Sequence, residues 1–512
     1  MIHSRLHGFA KLVHNQVRNK HNNFRNLITL SLLTIFLQHA ACVELEIFYW
    51  GDFHAQNTPS ELTIDGVTQK VGGAAAFSGL LKSLRQKNRR ILTFDAGDQF
   101  TGQPISSLTR GKSQITLLNK LKVDAFVPGN HEFDHGWHSL IEVTRKADFD
   151  ILLANVRISA DSSDLFPPHA IYQLDGLSVA VIGLIYDNFM GSVIHNGIIG
   201  LEVTDPILTA QNFVDVFKDS VDLLVALTHN GWSNDSTLAA RVRGLDLIIG
   251  GHSHTVLEQP RIINNVIISH TGSHGRYIGH LTLNVDITAN SIIGYEAELI
   301  PVLTDSIKAD RKVARLISKY TKKHTKTLDR NIGTLASNWN SSKHDQSNMA
   351  QWFVDAMRGI LPRTDLAVIN NGNLRKNLGR GPIKVRDVWE ICPFENSIIV
   401  FQISGIELIN AVYHLIDSPR EFMTWSGLKV VSDSGEVRSI MVNNLPVHPK
   451  NEYSVIATGY VRDHIKSYLD IPQDFTSRPF FFIPGNQRDF MIEAVETEKV
   501  ISSGLDDRWL VK

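Results

Sequence analysis

The feature that most constrains the fold of this chain is a series of short, continuous apolar runs between about residues 44 and 300. They include "LEIFYW", "RILTFDAG", "DAFVPG", "DILLAN", "LSVAVIGL", "DLLVALTH" and "LDLIIGGH". Stretches with a helical pattern, such as 74–88 and 207–220, separate several of them. Continuous rather than alternating apolar strands are typical of sheets that are buried on both faces. The pattern therefore predicts a layered α/β architecture.

Side chains that can bind metals follow these runs at the point where each run ends. They are Asp52 and His54 in "GDFHAQ", Asp98 in "DAGDQF", Asn130 and His131 in "GNHEFD", His229 in "LTHNGW", and His252 and His254 in "GGHSHT". Ligand sites in α/β sheets form at the carboxyl ends of the strands. Imidazoles and carboxylates suit divalent transition metals. Any one of these elements alone is more often structural, but five in succession predict a metal site.

The stretch "VPGNHEFDHG", residues 127–136, concentrates an amide, an imidazole and two carboxylates. An ordinary polar loop after a strand is the alternative interpretation. We interpret the stretch as a metal-held catalytic turn, because the other runs supply the remaining ligands. Glu132 is expected to fix the loop, and Asp95 is expected to be structural rather than a ligand.

Residues 1–42 have the pattern of an export signal. A basic region is followed by the apolar run "LITLSLLTIFL" and by "QHAAC". The run is shorter than the roughly 20 residues that span a bilayer, so no transmembrane anchor is predicted. A lipid anchor at Cys42 stays open, although His39 is atypical of such signals. With Cys42 and Cys392 as the two cysteines, no disulfide framework is expected. We expect a periplasmic or secreted protein.

Charge and length limit the partners and the domain count. The net charge of −1 disfavours a nucleic acid polymer as a partner. The length of 512 residues predicts two or three domains. The charged segment 305–327 is interpreted as a solvated connecting helix. The predicted boundaries are an export signal at 1–42, a catalytic domain at 43–303, a linker helix at 304–330 and a second domain at 331–512. The sequence makes no prediction of the oligomeric state.

The motifs D-x-H, G-D, G-N-H-E, H-x-G and G-H-x-H resemble those of the calcineurin-like dinuclear metallophosphoesterases. The spellings "DAGDQFTG", "GNHEFDHG" and "GGHSHT", together with a second domain, resemble the 5′-nucleotidase family over residues 46–495. The resemblance implies a four-layer α/β/β/α catalytic domain, joined by a helix to a C-terminal α/β substrate-binding domain. It also implies hydrolysis of nucleoside 5′-phosphates to nucleoside and phosphate by a metal-bound water.

The resemblance implies a set of site residues in the catalytic domain. One divalent ion, Zn, Mn or Co, would be held by Asp52, His54, Asp98 and His254. A second ion would be held by Asp98, Asn130, His229 and His252, with Asp98 bridging the two. His131 and Asp134 match the catalytic pair of the family. The imidazole would stabilise the phosphoryl oxygens or protonate the leaving oxygen.

In the second domain the resemblance implies substrate contacts. "NNGNLR" offers Asn370 and Arg375, and an Arg side chain suits an oxyanion. Phe394 in "ICPFENSI" and Phe482 in "FFFIPGNQRDF" would be the two rings that stack on a base. For either Phe taken alone, core packing is the alternative.

The second domain also departs from the family pattern. Arg488 stands where the family has an Asp that binds ribose, and could meet an extra phosphate or carboxylate. Asp345, with Lys343 and His344 beside it, stands where the family has an Arg. Hydrolysis of UDP-sugars, cyclic nucleotides or other phosphoesters is therefore an alternative function. A secreted binding protein without catalytic activity is another.

Overall fold

The computed structural model describes residues 42–511 apart from 65, 86–89, 190–192, 194–197, 395, 418–419, 434–435, 473–474 and 476–477. The predicted export signal lies outside the described residues, except for Cys42, which begins the first strand. Within the described part of the chain, no helix is long and apolar enough to cross a membrane.

Two six-stranded sheets form the N-terminal domain. The first has the strand order Ser291–Pro301, Tyr277–Asp286, Cys42–Trp50, Ile91–Asp95, Ala125–Phe126 and Asp150–Ile151. The second has the order Arg261–Ile263, Val266–His270, Leu247–Gly250, Leu223–His229, Leu177–Ile185 and His169–Leu174. Neighbouring strands in the middle of each sheet are parallel, so their carboxyl ends lie at one edge.

The two sheets pack face to face. One core contains Ile47 of the first sheet and Val225 of the second. Separate cores cover the outer faces, with Ala74–Leu84 and Lys112–Leu121 on the first sheet and Pro206–Phe217 and Trp232–Arg241 on the second. This confirms the four-layer α/β/β/α domain. The strands are continuously apolar because both of their faces are buried.

Shorter elements complete this domain. They are the helices Pro104–Leu108 and Trp137–Thr144, the 3-10 turns Asn130–Phe133 and Thr304–Ser306, the hairpin Ser60–Ile64 with Val67–Val71, and a small sheet of Val156–Ile158, Ser163–Asp164 and Leu201–Val203.

The helix Arg311–Leu328 leads from the first domain to the second. The side chain of Asp310 caps it by accepting the backbone N–H of Lys312. Val313 belongs to a core of the first domain, whereas Leu328 belongs to a core of the second. The helix is therefore anchored in both domains.

A five-stranded sheet is the centre of the second domain, in the order Met423–Ser426, Leu366–Asn370, Glu452–Thr458, Ser397–Ser404 and Phe480–Asn486. Its two faces contribute to separate cores, because Ala367 belongs to one and Leu366 to the other. The helices are Asn348–Ile360, Val385–Ile391, Gly405–Asp417, Gly459–Asp463, Ile465–Leu469 and Gln487–Glu498. Two small sheets contain Gly381–Lys384, Asn331–Leu335 and Val500–Ile501, and Leu445–Pro446, Glu436–Val442, Leu428–Asp433 and Trp509–Val511. The prediction of a two-domain α/β protein is confirmed, while its residue boundaries stay predictions.

Candidate metal centre and substrate site

The candidate metal ligands lie at the carboxyl ends of parallel strands. Asp52, Asp98 and Asn130 follow three neighbouring strands of the first sheet. In the second sheet, His229 ends one strand, and His252 and His254 follow the next. Since the two sheets pack face to face, loops from both can contribute to one site.

Asp52, His54 and His254 form the first group of ligands, with ligand atoms within 4.8 Å of one another. The Nε2 atoms of the two imidazoles are 2.9 Å apart, and Nε2 of His254 is 3.6 Å from Oδ1 of Asp52. Nδ1 of His54 lies 3.1 Å from the carbonyl oxygen of Thr101, which can only accept. His54 is thereby held in the tautomer whose Nε2 lone pair faces the group.

Asp98, His229 and His252 form the second group, again within 4.8 Å of one another. Asp98 joins the two groups, because its Oδ2 is 3.2 Å from Nε2 of His229 and 3.8 Å from Nε2 of His54. Oδ1 of Asn130 is 3.1 Å from Nδ1 of His252. The structure thus brings all seven predicted ligands together, with Asp98 between the two groups.

The donor set fits divalent cations. His229 is fully buried, and its Nδ1–H donates to the carbonyl oxygen of Ala96 at 2.6 Å. Its Nε2 faces Oδ2 of the shared ligand Asp98 at 3.2 Å. A buried ring nitrogen presented in this way is typical of a metal ligand. Burial raises the pKa of Asp52 to about 8, so a cation beside this carboxylate would keep it charged.

Backbone strain is concentrated at the same residues. Five of the seven candidate ligands have φ between 47° and 80°, namely Asp52, His54, Asp98, His252 and His254. For residues other than Gly this left-handed region costs roughly 1–3 kcal/mol each, and it is typical of functional sites. A Cβ at Gly129 would collide with the Asp98 carboxylate and the His229 imidazole. The backbone at Gly129 therefore lies so close to these two ligands that a side chain would not fit.

Glu132 holds two of the ligand loops together. Its buried carboxylate accepts four backbone N–H groups at 2.7–2.9 Å, from Gly129, Asp98, Gln99 and Phe100. Asp95 accepts the indole N–H of Trp50 at 2.9 Å and belongs to neither ligand group. These contacts agree with the loop-fixing and structural roles expected from the sequence.

His131 and Asp134 form a pair at the two ligand groups, and a ring nitrogen of His131 lies within 4.8 Å of ligand atoms of His54 and Asp98. Nδ1 of His131 is 2.8 Å from Oδ2 of Asp134, which also accepts the hydroxyl of Thr101 at 2.5 Å. Burial opposes a charge on His131, but the carboxylates of Asp134 and Asp98 outweigh it and raise its pKa to about 9. A protonated ring held through Nδ1 has Nε2–H as its remaining donor.

The second domain reaches this centre through Phe394. Its ring lies nearly parallel to the ring of His131, with centroids 5.5 Å apart and planes inclined by 19°. The guanidinium carbon of Arg375 is 5.0 Å from the centroid of the Phe394 ring. Burial lowers the pKa of His254 to about 4, and the charge of Arg375 adds to this effect. Two of the predicted substrate residues thus lie against the metal centre.

Asn370 is held by Glu421, which the sequence analysis missed. Nδ2 of Asn370 donates to Oε1 of Glu421 at 3.0 Å, and the backbone N–H of Gly372 donates to Oε2 at 2.7 Å. The hydroxyl of Tyr468 also donates to Oε1, at 2.6 Å. Glu421 therefore holds the loop that leads to Arg375. A single acidic residue before an apolar run is too weak a signal to have revealed it.

Phe482 lies on the strand at the edge of the second-domain sheet, and 59% of its surface is exposed. Within the described part of the chain, its ring contact is with Phe480, at 5.0 Å between centroids. The structure does not place Phe482 in the stack of Phe394 with His131.

Arg488 is a buried residue beside the loop that carries Phe394. It is 2% exposed, and its guanidinium carbon lies 3.4 Å from the centroid of the Trp389 ring. Its Nη1 donates to the carbonyl oxygen of Pro393 at 3.2 Å. Arg488 thus supports the loop that carries Phe394, and direct contact of Arg488 with substrate stays a prediction.

His274 is a further residue that the sequence analysis missed. Its ring centroid is 5.5 Å from that of His54 and 5.8 Å from that of His254. Its backbone N–H donates to the carbonyl oxygen of Asp52 at 2.7 Å. The residue follows the apolar run "VIISH", so the same position at a strand end could have revealed it.

Comparison with known proteins identifies the family. The "Calcineurin-like phosphoesterase" family model matches residues 46–256, and the "5′-nucleotidase, C-terminal domain" model matches residues 324–470. The chain belongs to the 5′-nucleotidase family. The human 5′-nucleotidase is 27% identical over 453 residues, which cover 79% of this chain and 78% of the human protein. The protein is thus a phosphoesterase hydrolase of the 5′-nucleotidase type.

Solved structures share the two-domain fold of this 5′-nucleotidase family member. A 5′-nucleotidase precursor from Thermus thermophilus has a TM-score of 0.78 and 24% identity, covering 92% of this chain and 99% of that one. The Thermus thermophilus sulfate thiohydrolase SoxB has a TM-score of 0.73 and 19% identity, covering 91% and 96%. At these identities the likeness establishes the fold alone, and the fold does not determine the substrate.

Proposed function

We propose that the protein is an exported, metal-dependent phosphohydrolase that converts nucleoside 5′-phosphates to nucleoside and phosphate. The observation that carries the proposal is the position of Phe394 against His131, with Arg375 against the Phe394 ring, beside the two groups of metal ligands. A ring for the base, a guanidinium for the phosphate and a histidine for the reacting group are thereby combined. The names of the nucleotidase relatives support the same substrate class.

Two divalent ions, held by the seven ligands, would supply a nucleophilic water at neutral pH and positive charge for the phosphoryl oxygens. Arg375 pairs its planar guanidinium with the phosphate. His131, kept protonated by Asp134, donates Nε2–H to a phosphoryl oxygen or to the leaving 5′ oxygen. A proton transferred to the leaving oxygen releases the nucleoside as an alcohol.

Phosphate release by the purified mature chain tests the substrate class. Mn²⁺, Zn²⁺ or Co²⁺ is added, and AMP, ADP, ATP, UDP-glucose, 2′,3′-cyclic AMP and bis(p-nitrophenyl) phosphate are compared, with a coupled phosphatase for the diesters and UDP-glucose. Preference for nucleoside monophosphates is expected. Comparable activity on generic esters would mean that the second domain recognises another ligand. Preference for UDP-glucose or the cyclic nucleotide would instead support the alternative substrates that Arg488 suggested from the sequence.

Export is supported by the sequence pattern of residues 1–42. Expression of the full chain in a bacterial host, followed by cell fractionation and N-terminal sequencing, tests it. A shortened chain outside the cytoplasm is expected, whereas a full-length chain in the cytoplasm would refute export.

A further inference from the structure

The helix Arg311–Leu328 carries a continuous band of positive charge on its outward face. Seven of its 18 residues are Lys or Arg, and none is Asp or Glu. At about 100° per residue these seven side chains occupy an arc of about 120°. They are Arg311, Lys312, Arg315, Lys319, Lys322, Lys323 and Lys326, all of them exposed. We call this surface the basic stripe.

The charge of the basic stripe is not neutralised by the rest of the described chain. None of its seven side chains forms an ion pair with a described residue. The carboxylates at the two ends of the helix already have other partners, since Asp310 pairs with Lys82 and Asp329 with Arg386. Because the whole chain has a net charge of −1, the basic stripe is a local concentration of charge.

The opposite face of the helix is already occupied. Val313 and Ile317 are buried against the first domain and Leu328 against the second. An interfacial helix that inserts into a bilayer needs an exposed apolar face, which this helix lacks. Contact with a partner is therefore restricted to the charged side chains.

We propose that the basic stripe docks the protein on a membrane surface that bears anionic phospholipids. A straight helix of 18 residues presents a line of charge about 27 Å long, which suits a flat surface. Five of the seven cations are Lys, whose hydrated point charge suits diffuse headgroup charge better than paired recognition of one phosphate. The other exposed residues of the helix are Ala314, Ser318 and Thr327. None of the three has a ring that could stack on a nucleic acid base.

Vesicle binding tests the proposal on the complete mature chain. Vesicles of phosphatidylcholine, with or without phosphatidylglycerol, are sedimented with the protein. Binding is expected only to the vesicles that contain phosphatidylglycerol. It should be lost in about 1 M NaCl, where the screening length is roughly 3 Å. Binding to neutral vesicles, or binding that survives this salt, would overturn the proposal, and so would the absence of binding to both.

A matched pair of variants locates the contact. The combined change Lys319→Gln, Lys322→Gln, Lys323→Gln and Lys326→Gln should weaken vesicle binding roughly a hundredfold or more. The control, Lys70→Gln, Lys146→Gln, Arg261→Gln and Lys450→Gln, removes the same charge at exposed positions elsewhere and should change it only a few-fold. Equal weakening in both would assign binding to net charge alone. Tighter binding to single-stranded DNA than to anionic vesicles would assign the stripe to nucleic acid. Phosphatase activity of both variants is expected to be unchanged, so the outcome is separate from the proposed function.

Discussion

The ring of His131 stacks on the ring of Phe394, with centroids 5.5 Å apart. His131 belongs to the metal loop of the first domain, and Phe394 belongs to a loop of the second domain. This contact places a residue proposed to bind a base directly against a residue proposed to act on the phosphate. Base recognition and phosphate chemistry are therefore expected to respond separately to substitutions on its two sides.

Replacement of Phe394 by Ala should weaken nucleotide recognition. Loss of one stacking ring is expected to remove about 1–3 kcal/mol of binding free energy from AMP. Steady-state kinetics should show a higher KM for AMP, with activity on bis(p-nitrophenyl) phosphate nearly unchanged. Phe394→Tyr keeps the ring and serves as the control. Equal losses of activity on both substrates would instead show that Phe394 supports the metal centre rather than binding the base.

Replacement of His131 by Ala should abolish turnover without releasing metal. A positioned proton donor contributes roughly 10²–10⁴-fold to the rate. His131 lies within 4.8 Å of ligand atoms of His54 and Asp98, but its Nδ1 is paired with Asp134, and the other candidate ligands stay in the variant. Elemental analysis of the purified variant should show the same metal content as the parent protein. Survival of activity would show that another group has this role.

Replacement of Gly129 by Ala should impair metal binding. The added Cβ would collide with Asp98 and His229, so the candidate ligands would have to move. The increase in Tm on addition of Mn²⁺ should become smaller, because stabilisation by a ligand follows its affinity. Gly359→Ala is the control, since a Cβ there meets no atom within 4 Å. An unchanged increase in Tm for the Gly129 variant would contradict the proposed metal centre.

Replacement of Arg488 by Gln should act on Phe394 indirectly. The change removes a buried cation–π contact with Trp389, which contributes about 2 kcal/mol when desolvated, and the hydrogen bond to Pro393. We expect a lower Tm and a higher KM for AMP, with kcat for the diester preserved. Arg488→Lys keeps the charge but not the planar guanidinium, so its Tm and its KM for AMP should stay close to those of the Gln variant. A higher KM with an unchanged Tm would instead support direct contact with substrate.

Asp310 should make stability depend on acid pH. Burial acts to raise its pKa, but hydrogen bonds from Lys82 and Ser78 outweigh it and hold the pKa at about 2. The unfolded pKa is about 3.9, so the stabilisation is present above about pH 4 and disappears as pH falls toward 2. Asn also caps helices, so Asp310→Asn removes mainly the charge. The difference in Tm between the two proteins should be largest near neutral pH and vanish in strong acid; a constant difference would exclude the charge as its cause.

Much of the metal centre could be predicted because its information is local. Asp98, Asn130 and His229 each stand at the end of an apolar run, and parallel strands bring such ends to one edge. The orientation of Arg488 could not be predicted in this way. It lies in the first turn of a helix, and the rotation of that helix against Trp389 decides which way the side chain faces.

By itself, the sequence determined the layered α/β class, the order of the ligand motifs and the presence of a charged helix between two globular domains. These follow from the period of apolar residues and from the residue types at strand ends, which act over a few positions. Only the tertiary structure decided that Phe394 meets His131, that Glu421 holds the Asn370 loop and that one helix contributes buried residues to the cores of both domains. These contacts join residues far apart in the chain, and long-range packing of whole elements selects them.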